Sequence, residues 1–470
     1  MSTVQVPPPV VTRRLVPVPP PAESRAPRPA APTARAPRTD VWPHTTRVLP
    51  WLIAVFLVLI WLVPFNSITL SFSTPIDLFP DRLILPVIGM FWIIALCVGG
   101  RMAPQVRWTW IHSAIALFVA VSFVSVVINA QALNHTLELN TAMKKLTLLA
   151  FYASFFVMIA SVVRVEEVRP FLTFTLILAV ICALGMIWEY RYAYNVFYEW
   201  SAKLLPGGLF HVQLFDPAGV DEIGRRQTRG PAELGLEAAS MLAMALPIAL
   251  VRLMDARRGR ERLLYGLAAC ILLAAAISTY RKTAFIAPVT VILTLVIFRP
   301  RASLKLAPLA VVAIVVVHIL SPGAFGAIAD QLQGHRLAAA STVSDRTSDY
   351  DAIRPDVWSH PLLGRGYGGY AQPTYRILDS EILRRLIETG VIGLLAYILM
   401  GASVVFASWR TARSGDAVRA GPAMIGACAA VAFLTVSVLF DAMWFPHTPY
   451  IFLSFAGLAA VAIAAPETER

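Results

Sequence analysis

The sequence predicts an all-α integral membrane protein with about twelve transmembrane helices. Three observations predict this: 57% of the 470 residues are hydrophobic, the mean hydropathy is +0.66, and the apolar residues are gathered in long runs. A soluble chain of this length would form about two or three domains, whereas these runs indicate one membrane domain. The formal net charge of +12 does not indicate nucleic-acid binding, because much of the arginine lies in the N-terminal tail and in short loops between the runs.

Residues 1–47 form a tail rich in proline, alanine and arginine, with PVPPPAESRAPRPAAPTARAPR as its densest part. This composition cannot build a core and predicts a disordered or partly polyproline II segment. The tail is too long and too rich in proline for the start of a signal peptide, so the first apolar run is interpreted as an uncleaved span. The PVPPP stretch suits a protein partner that reads polyproline, and the sequence leaves open whether one binds.

Apolar runs that can cross a bilayer core of about 30 Å follow the tail. They occupy residues 48–64, 83–99, 108–128, 146–163, 171–190, 233–251, 263–279, 283–298, 304–320, 389–408, 421–440 and 447–465. Residues 48–465 are therefore predicted to form one polytopic membrane domain, followed by a short C-terminal end at 466–470.

The distribution of arginine and lysine predicts the orientation of the spans. If the tail is cytoplasmic, every short loop on the inner side is basic, and these loops carry Arg101, Arg107, Arg164, Arg169, Arg252, Arg257, Arg258, Arg260, Arg262, Arg299, Arg301, Lys305, Arg410, Arg413 and Arg419. Both termini are then cytoplasmic. The two long loops, 191–232 and 321–388, are predicted to lie at the outer face of the cytoplasmic membrane, and the second precedes the third-last span.

The loop 321–388 is the longest stretch that can face water, and it is the first place to search for a functional site. Its glycine-rich part, HPLLGRGYGGY, carries Arg365, Tyr367 and Tyr370. A phosphate-binding loop is not indicated, because no strand precedes the glycines and no lysine of the Walker type follows them. We expect the glycines to allow tight turns that present the aromatic rings to a ligand, although such rings also form interfacial belts.

From Asp379 onward, apolar residues recur at helical spacing with charged residues on the opposite side. This pattern predicts a helix that begins amphipathic, at the membrane interface, and enters the bilayer after Gly390. The four cysteines, Cys97, Cys182, Cys270 and Cys428, lie in apolar runs without metal-binding spacing, and no histidine has ligand spacing to another. Neither a metal nor another cofactor is expected.

Two groups of cations are not explained by the predicted orientation of the spans in the membrane. Arg281 and Lys282 interrupt the apolar stretch 263–298, which places charge near lipid at a cost of roughly 2.5–3.5 kcal/mol at most. Such a cost usually marks a function, although snorkelling side chains at a helix end are the alternative. Arg225 and Arg229 precede another span, and a solvated basic loop is the alternative for Arg225.

The GRGYGGY segment, the polar pair Asp379 and Ser380, and LIETGVIGLL together resemble the C-terminal signature of the O-antigen ligase and O-antigen polymerase family. The resemblance covers roughly the C-terminal half and implies a membrane glycosyltransferase that uses sugar chains carried on a polyprenyl diphosphate. It implies that Arg229 and Arg281 contact that diphosphate, where guanidinium groups bind oxygens in bidentate fashion. Glu388 matches the helix glutamate of the family, and its alternative is a helix-surface charge paired with a neighbouring arginine.

Family members often carry a His-Asn pair where this chain has Asp379 and Ser380. Asp379 is therefore interpreted either as the base that activates the acceptor hydroxyl or as the N-cap of the following helix, and both interpretations stay open. With Asp379, Arg229 and Arg281 as catalytic candidates, the expected substrate-binding residues are Lys282, Arg225, Arg346, Arg365, Tyr367, Tyr370 and Glu388.

The expected function is transfer or polymerisation of a polyprenyl-diphosphate-linked glycan onto a glycan or other hydroxyl acceptor. We favour a polymerase over a ligase, because the missing His-Asn pair departs from the ligase pattern. The competing class is a transporter or flippase for lipid-linked glycan, since about twelve spans is also a common transporter count. Against it, the sequence shows no paired broken spans and few acids within spans.

Overall fold

The computed structural model describes residues 47–71, 79–99, 103–213, 226–320, 352–370, 375, 378, 380–414 and 416–465. These residues are mostly helical, and eight of the helices are long and apolar enough to cross a membrane. The protein is therefore an all-α integral membrane protein, as the sequence predicts.

The helices of the first half are α1 (Val48–Leu62), α2 (Pro80–Val98), α3 (Trp110–Ile128), α4 (Ala130–His135), α5 (Leu139–Val162), α6 (Val165–Tyr192) and α7 (Val196–Leu204). Those of the second half are α8 (Gly235–Asp255), α9 (Gly259–Ile277), α10 (Thr283–Phe298), α11 (Pro300–Ser303), α12 (Ala307–Leu320), α13 (352–359), α14 (Glu381–Arg413), α15 (Ala417–Leu439) and α16 (His447–Ala464). Two short strands, β1 (Ile68–Leu70) and β2 (Phe210–Val212), pair antiparallel with Thr69 opposite His211.

Helix starts follow local sequence signals. The Asn195 side chain accepts a hydrogen bond from the Phe197 amide at 3.0 Å and caps α7. Asp416 caps α15 in the same way, through the Val418 amide at 2.9 Å. Pro80 occupies the first turn of α2, where its missing N–H leaves no intrahelical bond unmade.

A helix overlaps each of the twelve predicted apolar runs. Eight helices meet the length and hydropathy expected of a span, while α1 and α10 are shorter apolar helices, so the total of twelve spans stays a prediction. The fourth run is predicted to start at residue 146, and α5 begins earlier, at Leu139. Lys145 thus lies inside the helix, with its charge near one end of the bundle.

The centre of the bundle is built from α8, α15 and α16, which are rich in alanine and glycine. Of the apolar stretch of α16, 89% is buried within the protein, against only 17% for α2, so α2 lies at the periphery and α16 at the centre. At Gly426 a Cβ would lie 2.5 Å from the Ala459 Cβ, so only glycine allows α15 and α16 to approach this closely.

The two ends of the bundle differ in character. One end holds much of the basic charge of the short loops: Arg299 pairs with Asp255 at 3.1 Å, and the Lys305 ammonium donates to the Met254 carbonyl at 2.9 Å. The described parts of both long loops lie at the opposite end, together with the segments around Asn66 and residues 440–446. This agrees with the parity of spans that the sequence predicts.

Candidate functional site

A break in α14 shapes the site end of the bundle. At Gly390 the backbone leaves helical geometry, with φ 65° and ψ −168°. In an unbroken helix the amides of Val391 and Ile392 would bond the carbonyls of Ile387 and Glu388. They donate instead to the carbonyls of Pro361 and Leu362, at 2.9 and 3.2 Å.

The glycine-rich segment 361–366 fills this break. The amides of Arg365 and Gly366 donate to the vacated carbonyls of Ile387 and Glu388, both at 2.9 Å. The amides and carbonyls that these two lost helical bonds would have joined are therefore all satisfied by segment 361–366, as a buried backbone requires. The fit leaves no room for side chains: a Cβ on Gly364 would lie 2.4 Å from the Glu388 carbonyl carbon.

The end of α3 holds the interlocked segments together. Ser125 Oγ lies 2.6 Å from the Leu363 carbonyl and 2.9 Å from the Glu388 carbonyl, both of which accept from it. Asn129 Nδ2 donates to the Gly364 carbonyl at 3.0 Å. The GRGYGG and IETG motifs are thus two halves of one local structure.

The first turns of α14 carry a buried network of charges. Arg385 Nε lies 2.6 Å from Glu381 Oε1, and its Nη2 lies 3.0 Å from Glu388 Oε2. Arg384 Nε lies 2.7 Å from Asp441 Oδ2, which comes from the loop between α15 and α16. All five side chains are nearly inaccessible to solvent. The interpretation of Glu388 as a helix-surface charge is therefore wrong: it is paired with arginine, as that alternative expected, but it is buried.

Asp441 is ionised in this network. Burial would raise the pKa of the Asp441 carboxyl, but the Arg384 guanidinium, the hydrogen bond shared with Glu381 and the charge of Arg385 hold it below its usual range.

A small cavity of about 20 Å³ lies over this network. The cavity is lined by Arg384, Arg385 and Asp441 and by the half-buried Lys145 and Trp444. The Lys145 ammonium lies 3.4 Å from the centroid of the Trp444 ring, and it forms no ion pair with a carboxylate among the described residues. A cation over an aromatic face keeps its charge available to an anion.

The two arginines of the predicted diphosphate site lie on segments that meet. Thr228 Oγ1 and Ser278 Oγ are 2.7 Å apart, which joins the segment before α8 to the turn after α9. The Arg229 guanidinium lies 4.9 Å from the centre of the Tyr198 ring. Arg281 Nη2 donates to Gln227 Oε1 at 2.8 Å, so both arginines are oriented by contacts of this one junction.

Glu189 fixes the backbone of the segment that carries Arg229. One oxygen of this carboxylate accepts from the amides of Arg229 and Gly230, at 3.3 and 2.8 Å. Asn195 Nδ2 donates to the Gly230 carbonyl at 2.8 Å. The chain therefore enters α8 in a defined conformation.

A second buried pair joins α8 to α16. His447 Nδ1 lies 2.7 Å from Glu237 Oε1, and His447 Nε2 lies 3.1 Å from the Val63 carbonyl. Both ring nitrogens face acceptors, so both must donate, and the imidazole carries its positive charge. Phe65 stacks on the ring with centroids 4.6 Å apart. This pair was not found in the sequence, because its partners lie far apart along the chain.

Glu233 lies near the Glu237–His447 pair and near Lys145, whose charges act on it. Asn66 Nδ2 donates to its Oε2 at 2.5 Å. Burial raises the pKa of Glu233, and the Glu237 carboxylate raises it further, while the Asn66 hydrogen bond and the charges of Lys145 and His447 lower it. The balance is a raised pKa on a half-buried carboxyl.

The structure brings part of the predicted site together. Asp379, Arg225 and Arg346 lie outside the described residues, and their predicted roles stay predictions. Lys282 is half-buried and precedes α10, beside Arg281.

The glycine-rich loop directs its tyrosines inward. Tyr367 and Tyr370 are buried, so the expectation that the glycines present both rings openly to a ligand is wrong. Tyr367 lies under Arg385 and reaches the cavity, whereas Tyr370 stacks on Tyr375. Arg365 is engaged by Asp356 at 3.1 Å and is not a free cation.

Sequence reasoning missed Lys145, Asp441 and Trp444. Lys145 immediately precedes the predicted run 146–163, and Asp441 immediately follows the predicted run 421–440. The signal that could have found them is a charge at the edge of an apolar run on the predicted outer side, which the positive-inside rule does not explain.

Within the described residues, no group of three histidines, cysteines, aspartates or glutamates is arranged to hold a metal ion. The arrangement is that of a multi-span membrane protein with a charged site at the end where its long loops meet. Residues 267–398 match the family model described as O-Antigen ligase, which supports the O-antigen ligase and polymerase family and agrees with the sequence resemblance. The match includes Arg281, the glycine-rich segment and Glu388. A comparison with curated proteins gave no match.

Proposed function

We propose that the protein is a membrane glycosyltransferase that moves a glycan from polyprenyl diphosphate to a hydroxyl acceptor at the outer face of the cytoplasmic membrane. The family match supports the coarser statement, an O-antigen ligase- or polymerase-type membrane enzyme of surface polysaccharide assembly. In this proposal Arg229 and Arg281 hold the diphosphate, and Asp379 activates or positions the acceptor. A polymerase is favoured over a ligase.

The observation that carries the proposal is the junction of Thr228 with Ser278, since it places the segments of Arg229 and Arg281 side by side. When the glycan leaves, negative charge develops on the diphosphate, and guanidinium groups bind such oxygens with two parallel hydrogen bonds. Each charge-assisted bond contributes roughly 1.5–3 kcal/mol. Two arginines at one junction fit a group with two phosphates.

Complementation in cells that lack the chromosomal copy tests the proposal. Arg229→Ala and Arg281→Ala are expected to lower glycan production by about 100- to 1000-fold, because each removes a donor aimed at developing charge. Arg257→Ala is the matched control, since this exposed arginine lies in a short loop at the other end. Membrane levels of all variants are compared by immunoblot.

The lipid-linked material that accumulates distinguishes the alternatives. A polymerase defect leaves single repeat units at the outer face, whereas a ligase defect leaves long lipid-linked chains. Repeat units trapped at the inner face would instead support a flippase. Normal glycan from both site variants would contradict the proposed diphosphate site.

A further inference from the structure

Resting on the proposed glycosyl transfer, we propose that Glu233 is the carboxylate that takes the proton from the acceptor hydroxyl. Its segment begins at Arg229, and Glu233 follows two residues before α8 starts at Gly235. The amide of Ala232 donates to the Arg229 carbonyl at 3.1 Å, so a tight turn separates the guanidinium segment from the carboxylate. The base and the proposed diphosphate ligand are thus neighbours in one rigid turn.

Glu233 differs from the carboxylates of the two buried charge networks in having no cation bound to it. Glu381, Glu388 and Asp441 are each paired with arginine, and Glu237 is paired with His447. Glu233 forms no ion pair among the described residues, and the partner of its side chain is the neutral amide of Asn66. A carboxylate held by a neutral donor keeps a lone pair for a proton, whereas an ion-paired one is stabilised in its charged form.

Glu233 is also accessible. Its side chain is half-buried, while the paired carboxylates are almost fully buried. A backbone contact fixes the segment: the Glu233 amide donates to Glu237 Oε2 at 2.9 Å. The residue therefore combines a fixed backbone with a carboxyl group that a substrate can reach, the geometry that a general base needs.

The charges around Glu233 suit proton transfer. Glu237 of α8 and burial raise its pKa, and Lys145 of α5 and His447 of α16 lower it without reaching ion-pair distance. Tyr198 of α7 lies close enough to this turn that the Arg229 charge lowers its pKa and the Glu233 charge raises it. A carboxyl with a raised pKa is a stronger base than an ordinary glutamate once it is ionised.

Two bonds break and two bonds form in the proposed step. The acceptor O–H bond breaks and its proton goes to a Glu233 oxygen, while the acceptor oxygen forms a bond to the anomeric carbon of the donor glycan. The bond from that carbon to the diphosphate oxygen breaks, and its electron pair leaves with polyprenyl diphosphate beside Arg229 and Arg281. Glu233 then returns its proton to water. In this assignment Asp379 positions the acceptor and does not take its proton.

Purified full-length protein in proteoliposomes, supplied with polyprenyl-diphosphate-linked repeat units, tests this assignment. Glu233→Gln is expected to lower kcat by about 100- to 10,000-fold. The variant keeps an oxygen for Asn66, so binding of the lipid-linked donor is expected to stay within about twofold of wild type. Glu233→Asp is expected to retain partial activity and to shift the acidic limb of the kcat profile to lower pH, which a purely structural role would not do.

Three comparisons make the outcome decisive. Glu199→Gln, a half-buried glutamate of α7 with no role in the proposed step, is expected to match wild type. Near-normal kcat for Glu233→Gln, or a loss confined to Asp379→Asn, would overturn the role of Glu233 while transfer itself stands. Absence of transfer by wild type, with donor bound equally by wild type and Arg281→Ala, would overturn both proposals.

Discussion

At the residue scale, the arginines of this protein divide by what surrounds them. Arg384 and Arg385 are buried beside acids at helical spacing and beside Asp441, so their charges are balanced within the protein. Arg229 and Arg281 lie at a loop junction, with an aromatic ring and an amide as the contacts that orient them. The first pair therefore has a structural role, and the second pair is the one proposed to contact the diphosphate.

Removing Asp441 is expected to be strongly destabilising. Asp441→Asn leaves the buried Arg384 without its closest counter-charge, and losing one partner of a buried ion pair costs about 3–5 kcal/mol. Asp356→Asn is the matched control, because its pair with Arg365 is more exposed, and exposed pairs contribute less than about 1 kcal/mol. Thermal unfolding in detergent compares the two, and equal losses would contradict the buried network.

The same pair predicts a pH dependence of stability. The pKa of Asp441 is lowered in the folded protein, so its contribution is present above the ordinary aspartate pKa of about 3.9 and is lost as pH falls through the lower folded value. We expect the midpoint of thermal unfolding to fall between neutral and acidic pH more steeply for wild type than for Asp441→Asn. Parallel curves for the two proteins would show that Asp441 does not titrate in this way.

Glu388 shows what the sequence could predict about a single residue. The spacing of Glu388 from Arg384 and Arg385 predicted pairing correctly, because i,i+3 and i,i+4 side chains meet on any helix. It could not predict burial, because residues distant in the chain, Tyr367 and Asp441, pack around this part of α14 through Arg385 and Arg384.

At the element scale, the broken helix is the feature that organises the site. The pattern around Gly390 predicted a change from amphipathic to fully apolar helix, and the backbone leaves helical geometry at that glycine. The inserted segment 361–366 could not be predicted, since its bonds to α14 and α3 depend on the packing of three elements. The sequence pattern around Gly390 predicts where the helix breaks, whereas the cause of the break lies in tertiary contacts.

Gly390→Ala tests the break. The conformation of Gly390 is essentially restricted to glycine, and another residue there is strained by about 1–3 kcal/mol before any clash. The new Cβ would also lie 2.3 Å from the Leu362 carbonyl carbon. We expect lower thermal stability and loss of glycan production, whereas Gly89→Ala, with nothing within 4 Å of its Cβ, should behave as wild type. Unchanged stability of Gly390→Ala would mean that segment 361–366 does not fill the break.

At the scale of the whole molecule, basic residues of the short loops gather at one end of the bundle and the site at the other. Counting spans and arginines along the sequence was sufficient to predict that both long loops share an end. It was not sufficient to predict which helices form the centre. The most buried spans are α8, α15 and α16, and a small residue, Gly426, lets α15 and α16 approach closely.

Cysteine labelling tests the orientation in the membrane. In a background with the four native cysteines replaced by alanine, Ser359→Cys at the site end is expected to react with an impermeant maleimide applied to spheroplasts. Arg257→Cys, at the basic end, is expected to react only after the membrane is permeabilised, because basic loops stay cytoplasmic. Both side chains are exposed, so accessibility within the protein does not limit either reaction. The reverse labelling pattern would place the site in the cytoplasm and contradict the proposed outer-face reaction.

The most direct test of the central claim is the release of polyprenyl diphosphate by purified protein in proteoliposomes that contain a lipid-linked repeat unit. The account predicts release coupled one-to-one with glycan transfer, and a rate about 100- to 1000-fold lower for Arg281→Ala than for wild type. Equal rates for wild type and Arg281→Ala, or movement of the intact lipid-linked glycan across the membrane without release, would contradict it.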